Sequence, residues 1–208
     1  MVVTMSRDVD EMRKGVQRRP GGRSARVRAA VLQAALDAMA EQGLGGVTIS
    51  EIARRAAVHA TSVQRRWGTA ENVMLDAMLT RSQEELPVPD TGTLRGDLIA
   101  FARLVAAYLA TPLGTALSRT MAVADDDPDM ADGRLQFWRA RYDIARVMID
   151  RAIERHELVA GTDSQLALEL LIAPLHFRAL LTRQPIDDTM IEQLVDAVLR
   201  GLIATALS

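Results

Sequence analysis

No cysteine occurs in the sequence, which excludes disulfides, thiolate metal sites and cysteine nucleophiles. Lysine is almost missing too: Lys14 is the only one, and every other basic residue is arginine. Aromatic residues make up 3% of the chain. Alanine and leucine dominate, and alternating Val, Ile and Thr are scarce, so β-sheet is disfavoured and an all-α protein is expected. Long apolar runs are lacking. The longest uncharged one, Leu104 to Ser118, is broken by Pro112 and Gly114 and is too short to span a bilayer. Met1 to Asp10 carries charges and no apolar block, unlike a signal peptide. A cytoplasmic protein with no membrane partner is expected.

Nearly half the residues are apolar, enough for a packed interior. The net charge of -2 conceals a division. Residues 1–81 hold 13 basic and 8 acidic side chains, net +5, and the remainder holds 12 and 19, net -7. A basic head on an acidic body turns the head toward a polyanion. From Met12 to Arg28 stand Arg13, Lys14, Arg18, Arg19, Arg23, Arg26 and Arg28 with no acidic residue, and Pro20-Gly21-Gly22 falls among them. That composition predicts a flexible basic arm without helix. Such an arm suits phosphates or the minor groove, and it also suits a solubilising tail.

The informative stretch is TISEIARRAAVHATSVQRRW, Thr48 to Trp67. Thr48 followed three residues later by Glu51 forms a capping box and starts a helix. Ile52, Ala53 and Ala56 lie on one face, with Arg54 and Arg55 on a basic flank. Ala57, Val58 and His59 interrupt the pattern, and a second short helix resumes with Val63 and Trp67 inward. Thr61, Ser62, Gln64, Arg65 and Arg66 face outward. A short second helix bearing hydroxyls, an amide and guanidinium groups suits a helix-turn-helix reading the major groove. Arginine can grip guanine in two places, glutamine adenine, and threonine can touch a thymine methyl. An ordinary solvated helix carries the same residue types.

Upstream, VRAAVLQAALDAMAEQG reads as an amphipathic helix with Val31, Ala34, Ala35, Ala38 and Met39 inward and Gly43 as its stop. With that helix in place, Arg28 to Val73 resembles the N-terminal domain of the TetR family of transcriptional repressors. The resemblance rests on Ala34-Ala35, Gly43, Val47-Thr48-Ile49, Ile52-Ala53, Ala56, Val58, Val63, Trp67, Thr69 and Glu71, spaced without gaps. It implies an operator of double-stranded DNA contacted by Arg26, Arg28, Thr48, His59, Thr61, Ser62, Gln64, Arg65 and Arg66. The chain departs from the family where the family touches DNA. The usual turn glycine is Ala57, the usual serine is His59, the usual tyrosine is Gln64 and the usual lysine is Ala70. Alanine in the turn predicts a backbone short of the left-handed region. Losing two phosphate contacts shifts positioning to Arg65, Arg66 and the arm.

Thr69 caps the next helix, expected to run to Leu86 and to transmit movement. Further helices are expected over Thr93–Thr111, Leu113–Ala124, Pro128–Glu157, Asp163–Arg183 and Asp187–Leu207. VPDTGTLRGDL, TPLG at 111–114 and LLIAPLHFRALLTRQPID resemble the C-terminal domain of one large TetR subgroup. The domains expected are a flexible arm at 1–23, a three-helix helix-turn-helix domain at 24–70 and a helical ligand-binding and dimerisation domain at 71–208. The family pairs its last two helices with their copies in a four-helix bundle. Apolar stripes at Leu166, Leu170 and Leu180, and at Leu194, Val198 and Leu202, are broad enough for such a homodimer. The family also holds a small-molecule effector among the central helices. Phe101, Leu104, Tyr108, Met121, Trp138, Arg141, Tyr142 and His176 are the candidates, although such sets also make plain core.

Asp125, Asp126, Asp127 and Asp129 lack the glycine turn and terminal glutamate of a calcium loop and read better as an acidic helix start. His59, His156 and His176 have no zinc spacing, and His156 suits a helix C-terminus. No metal or cofactor is expected, and no enzyme. An enzyme would need the aspartates with His176 and Glu169, and a sequence-blind DNA-compacting protein is the other alternative.

Overall fold

The computed structural model describes residues 22–123 and 128–205. Short polar side chains set most helix starts. Thr48 accepts from the Glu51 N–H and opens α2 (Ile49–Arg55), Thr69 accepts from Asn72 and opens α4 (Ala70–Glu85), and Thr93 accepts from Gly96 and opens α5 (Leu94–Ala110). Asp163 does the same for α9 (Ser164–His176), each satisfying an orphan donor of the first turn. The other helices are α1 (Gly22–Gln42), α3 (Ala60–Trp67), α6 (Pro112–Val123), α7 (Pro128–Ala145), α8 (Val147–Glu154) and α10 (Asp188–Thr205). A 3-10 turn, Leu44–Gly46, joins α1 to α2. Among the described residues there is no strand, and the fold is all-α as expected.

Two features depart from the capping pattern. The Glu51 carboxylate does not return to the cap; it accepts from Arg54 and Arg55. Those hydrogen bonds hold its carboxyl down at about 2. Arg55 also reaches Glu41 of α1, so the basic flank foreseen on α2 is largely spent on its own acids. The second departure is Ala57, whose φ is +53°, in the left-handed region the alanine was expected to avoid. The reason is a Schellman closure: Ala57 N–H donates to Arg54 O and Val58 N–H to Ala53 O, which requires a left-handed residue there. Alanine at this place costs about 1 kcal/mol more than glycine.

Helix α1 begins at Gly22, inside the stretch expected to be non-helical. Past Pro20 and Gly21 the segment is arginine, serine, alanine and valine, and arginine and alanine favour helix. The arm itself lies outside the described residues up to residue 21, as do Asp125 to Asp127. The single helix expected over Pro128–Glu157 is broken at Arg146 into α7 and α8. Helix α9 contains Pro174, which has no N–H for the rung to Leu170, and continues through wider π turns from Phe177 to Thr182. His156 stands beyond α8 with φ +60°, and its own N–H donates to Ile153 O; its backbone closes the helix.

Motifs in the second half have local physical causes. Asp97 is fully buried and accepts from both the N–H and the hydroxyl of Thr91, with Arg155 at 3.5 Å. A Cβ on Gly96 would come within 2.3 Å of the Thr91 hydroxyl, and one on Gly114 within 2.0 Å of the Tyr108 carbonyl oxygen. Against the Tyr108 backbone only glycine fits at 114, whereas at 96 a larger residue would have to displace the threonine side chains. Thr111 caps the new helix by accepting from Gly114, so TPLG is the corner that turns α5 into α6.

Two apolar clusters result. One joins α1 to α4 and takes in Leu117 and Met121 of α6; the other is built on α5, α8, α9 and α10. Since Val73, Met74, Ala77 and Met78 belong to the first, the N-terminal core extends past the boundary expected at residue 70. Among the described residues Ser164–Thr182 is long and apolar enough to cross a membrane. Its Leu168, Leu171 and Leu175 are buried in the second cluster.

Candidate functional site

Helix α3 presents a polar row. Thr61, Ser62, Gln64, Arg65 and Arg66 are exposed while Val63 is buried. Its orientation is fixed from below. The Trp67 indole N–H donates to Asp76 of α4 at 2.8 Å, and Arg28 of α1 pairs with the same carboxylate and with Thr80. Asp76 thus ties α1, α3 and α4 together through charge-assisted hydrogen bonds. Among the predicted DNA contacts, Arg28 is engaged here and part-buried, so its charge serves the frame. Thr48 is occupied as the α2 cap, and His59 precedes α3 in extended conformation without a side-chain cap bond. Arg26 is exposed and its Nε donates to Gly22 O. The Arg66 guanidinium lies 4.9 Å from the Trp67 ring centre, a cation–π contact.

A cavity of about 280 Å³ opens between α4, α5, α6, α7 and α9. Of the eight residues expected there, Phe101, Tyr108, Met121, Trp138, Arg141, Tyr142 and His176 line it. Leu104 does not. It lies about 100° round the helix from Val105, and it packs half-buried against the second cluster while Val105 takes the wall. Trp138 organises the aromatic side: it stacks on Tyr142 with centres 6.0 Å apart and meets Phe137 and His176 edge-on. Burial pushes the Tyr108 and Tyr142 hydroxyls up and pulls the His176 imidazole below its usual range. Only a donor nitrogen can bond the Ile172 carbonyl, which His176 Nδ1 meets at 3.2 Å, so Nδ1 carries the proton of the neutral ring. Glu169 instead accepts from Gln165. Among the described residues no three His, Asp or Glu side chains converge as metal ligands.

Residues 31–77 match the family described as bacterial regulatory proteins, tetR family, and residues 88–198 match the tetracyclin repressor-like C-terminal domain. The HTH-type transcriptional regulator AqdR of Rhodococcus erythropolis is 36% identical over 86% of each chain. The chain belongs to the TetR family. The DNA-binding transcriptional repressor TetR of Mycobacteroides abscessus is 32% identical, covering 84% of this chain and 93% of that one. The crystal structure of the TetR family transcription regulator SCO0332 superposes with a TM-score of 0.69 at 29% identity, covering 84% and 97% of the two chains. TetR proteins are DNA-binding transcriptional regulators and not enzymes.

In this TetR chain the cavity and the support of α3 share one helix. Met78 and Ser82 of α4 and Leu86 just past its end line the cavity, and Asp76 two residues before Met78 holds Trp67 of α3. These three wall residues were not among those expected; the signal was their four-residue spacing, which puts Met78, Ser82 and Leu86 on one side of the helix. Phe137, Val105 and Leu117 were missed as well.

The expected dimer residues divide. Val198 and Leu202 are buried in the protomer's own core, at 4% and 9% exposure, and Leu180 lines the cavity. In the single protomer those three side chains are therefore engaged with their own subunit. The wide stripe of α10 serves mostly its own subunit, since that helix packs on α5 and α9. Leu194 is half-buried against the same cluster. The exposed apolar stripe is instead on α9 and its π extension: Leu166, Leu170, Phe177 and Leu181.

Proposed function

We propose that the protein is a homodimeric, ligand-responsive repressor. In this reading it binds a near-palindromic operator in the cytoplasm and is released by a small, largely hydrophobic effector held in the cavity. The observation that carries the reading is the exposed row of α3 set on a frame whose α4 also walls the cavity. Repression is supported by the likeness to the Mycobacteroides abscessus repressor. Gln64 and Arg65 are assigned to base edges, with Thr61, Ser62 and His59 beside them. Arg66, Arg26 and the basic residues before Gly22 are assigned to phosphates, which position without specifying. Dimerisation is assigned to the stripe Leu166, Leu170, Phe177 and Leu181, whose exposure suits a self-complementary contact.

Footprinting over the DNA upstream of the coding region tests this. Two protected half-sites about 34 Å apart, or a multiple of that, are expected from two recognition helices. Arg65→Ala is expected to cost about 1 to 3 kcal/mol and to relax preference at one position of each half-site. Even protection, or an Arg65→Ala loss equal on all sequences, would contradict base reading.

A further inference from the structure

Among the described residues Arg141 is the one charged group in the cavity wall, and part of its guanidinium is unpaired. The residue is 6% exposed, its Nη1 is buried without a hydrogen-bond partner, and among the described residues no carboxylate lines the cavity. The remaining polar groups there are Ser82, Tyr108, Ser118, Tyr142 and His176. All are neutral in their ordinary states at pH 7, with His176 further biased to its neutral ring. A buried guanidinium without a counter-charge is costly, because lost hydration is replaced by neither an ion nor a full set of acceptors. Burial accordingly pulls Arg141 below its usual range. A planar anionic group would answer the guanidinium fork in a bidentate pair. Next to it, along the same helix, stand Phe137, Trp138 and Tyr142, a surface for a flat ring.

We propose that the cavity selects an amphipathic aromatic acid, its anionic oxygens on Arg141 and its ring system against Trp138 and Tyr142. This rests on reading the cavity as the effector site and adds to it a charge. The acid turns an uncompensated buried cation into a paired one, so recognition draws on both ring burial and charge. A neutral compound of the same shape fills the same space and leaves Arg141 unanswered, and the difference between the two isolates the role of Arg141.

Calorimetric titration of the full chain with naphthoate and with naphthylmethanol, which share a ring system and similar size, tests the proposal without DNA. Wild type is expected to bind the acid about tenfold or more tightly, as a charge-assisted hydrogen bond implies. Arg141→Met is expected to lose that preference while still binding the alcohol, and Arg141→Lys to keep part of it. Circular dichroism checks the fold of each variant; the wild-type pair decides for or against an acid even where a variant does not fold. Equal binding of the two compounds, or an undiminished preference in Arg141→Met, overturns the acid proposal and leaves the hydrophobic effector reading standing. Binding of neither compound at millimolar concentration overturns both.

Discussion

Val198→Glu is expected to unfold the protein, whereas Leu170→Glu is expected to leave it folded and monomeric. Val198 is 4% exposed within the cluster that includes Leu98, Leu171 and Leu175. An ionised carboxylate there has no partner, and the penalty of several kcal/mol is comparable to the roughly 5 to 15 kcal/mol that holds a domain together. Leu170 is 47% exposed on α9, so a carboxylate at that place stays in water in the monomer. In the proposed dimer it meets its own copy across a two-fold axis, and like charges at a dry contact are repulsive. Circular dichroism reads the first effect and sedimentation velocity the second. A folded Val198→Glu monomer together with a dimeric Leu170→Glu would move the interface from the α9 stripe to α10.

Asp76→Ala is expected to destabilise the N-terminal domain by about 2 kcal/mol and to weaken operator binding by more than that alone would suggest. Its carboxylate accepts from Trp67 of α3, Arg28 of α1 and Thr80. Hydrogen bonds to a charged group are worth about 1.5 to 3 kcal/mol, and the side chain's 31% exposure places the loss toward the lower end through screening. The functional loss is larger because Trp67 is the last residue of the recognition helix. Freed from Asp76, that helix has fewer constraints on its angle, and a base-reading side chain misplaced by an ångström loses its hydrogen bond. Asp76→Asn keeps an acceptor for the indole and is expected to be milder. Urea midpoints and operator titrations on both variants check this. Unchanged operator affinity in Asp76→Ala would show that α3 is held in place without this carboxylate, by its apolar face and the Asn72 bond to the Trp67 carbonyl.

The helix-turn-helix was legible because its information is local. Thr48, Val63 and Trp67 declare a cap and two inward positions by spacing alone, and the structure places them so. The cavity was largely legible for a related reason: Tyr108, Trp138 and Tyr142 recur at helical spacing in the central helices, where the family resemblance implies an effector. Failures arose where a residue's role depends on what lies opposite. Nothing in the periodicity of Val198 or Leu202 says whether the covering surface belongs to the same subunit. The engagement of Arg28 within the fold was hidden because Asp76, its partner, is 48 residues away in sequence. Ala57 was misjudged because residue preference was weighed without the two backbone hydrogen bonds that impose the left-handed turn.

In the proposed function helix α4 links ligand to DNA, because it holds Trp67 through Asp76 at one point and faces the cavity through Met78 and Ser82, with Leu86 just past its end. A ligand moves this system only by binding its two states unequally. The most direct test of that link is operator affinity, measured by fluorescence anisotropy with the cavity empty and with it saturated by naphthoate. The predicted result is weaker operator binding by a factor of about 5 to 150, matched by an equal loss of naphthoate affinity when operator is bound. Operator affinity that stays constant while naphthoate occupies the cavity would contradict it.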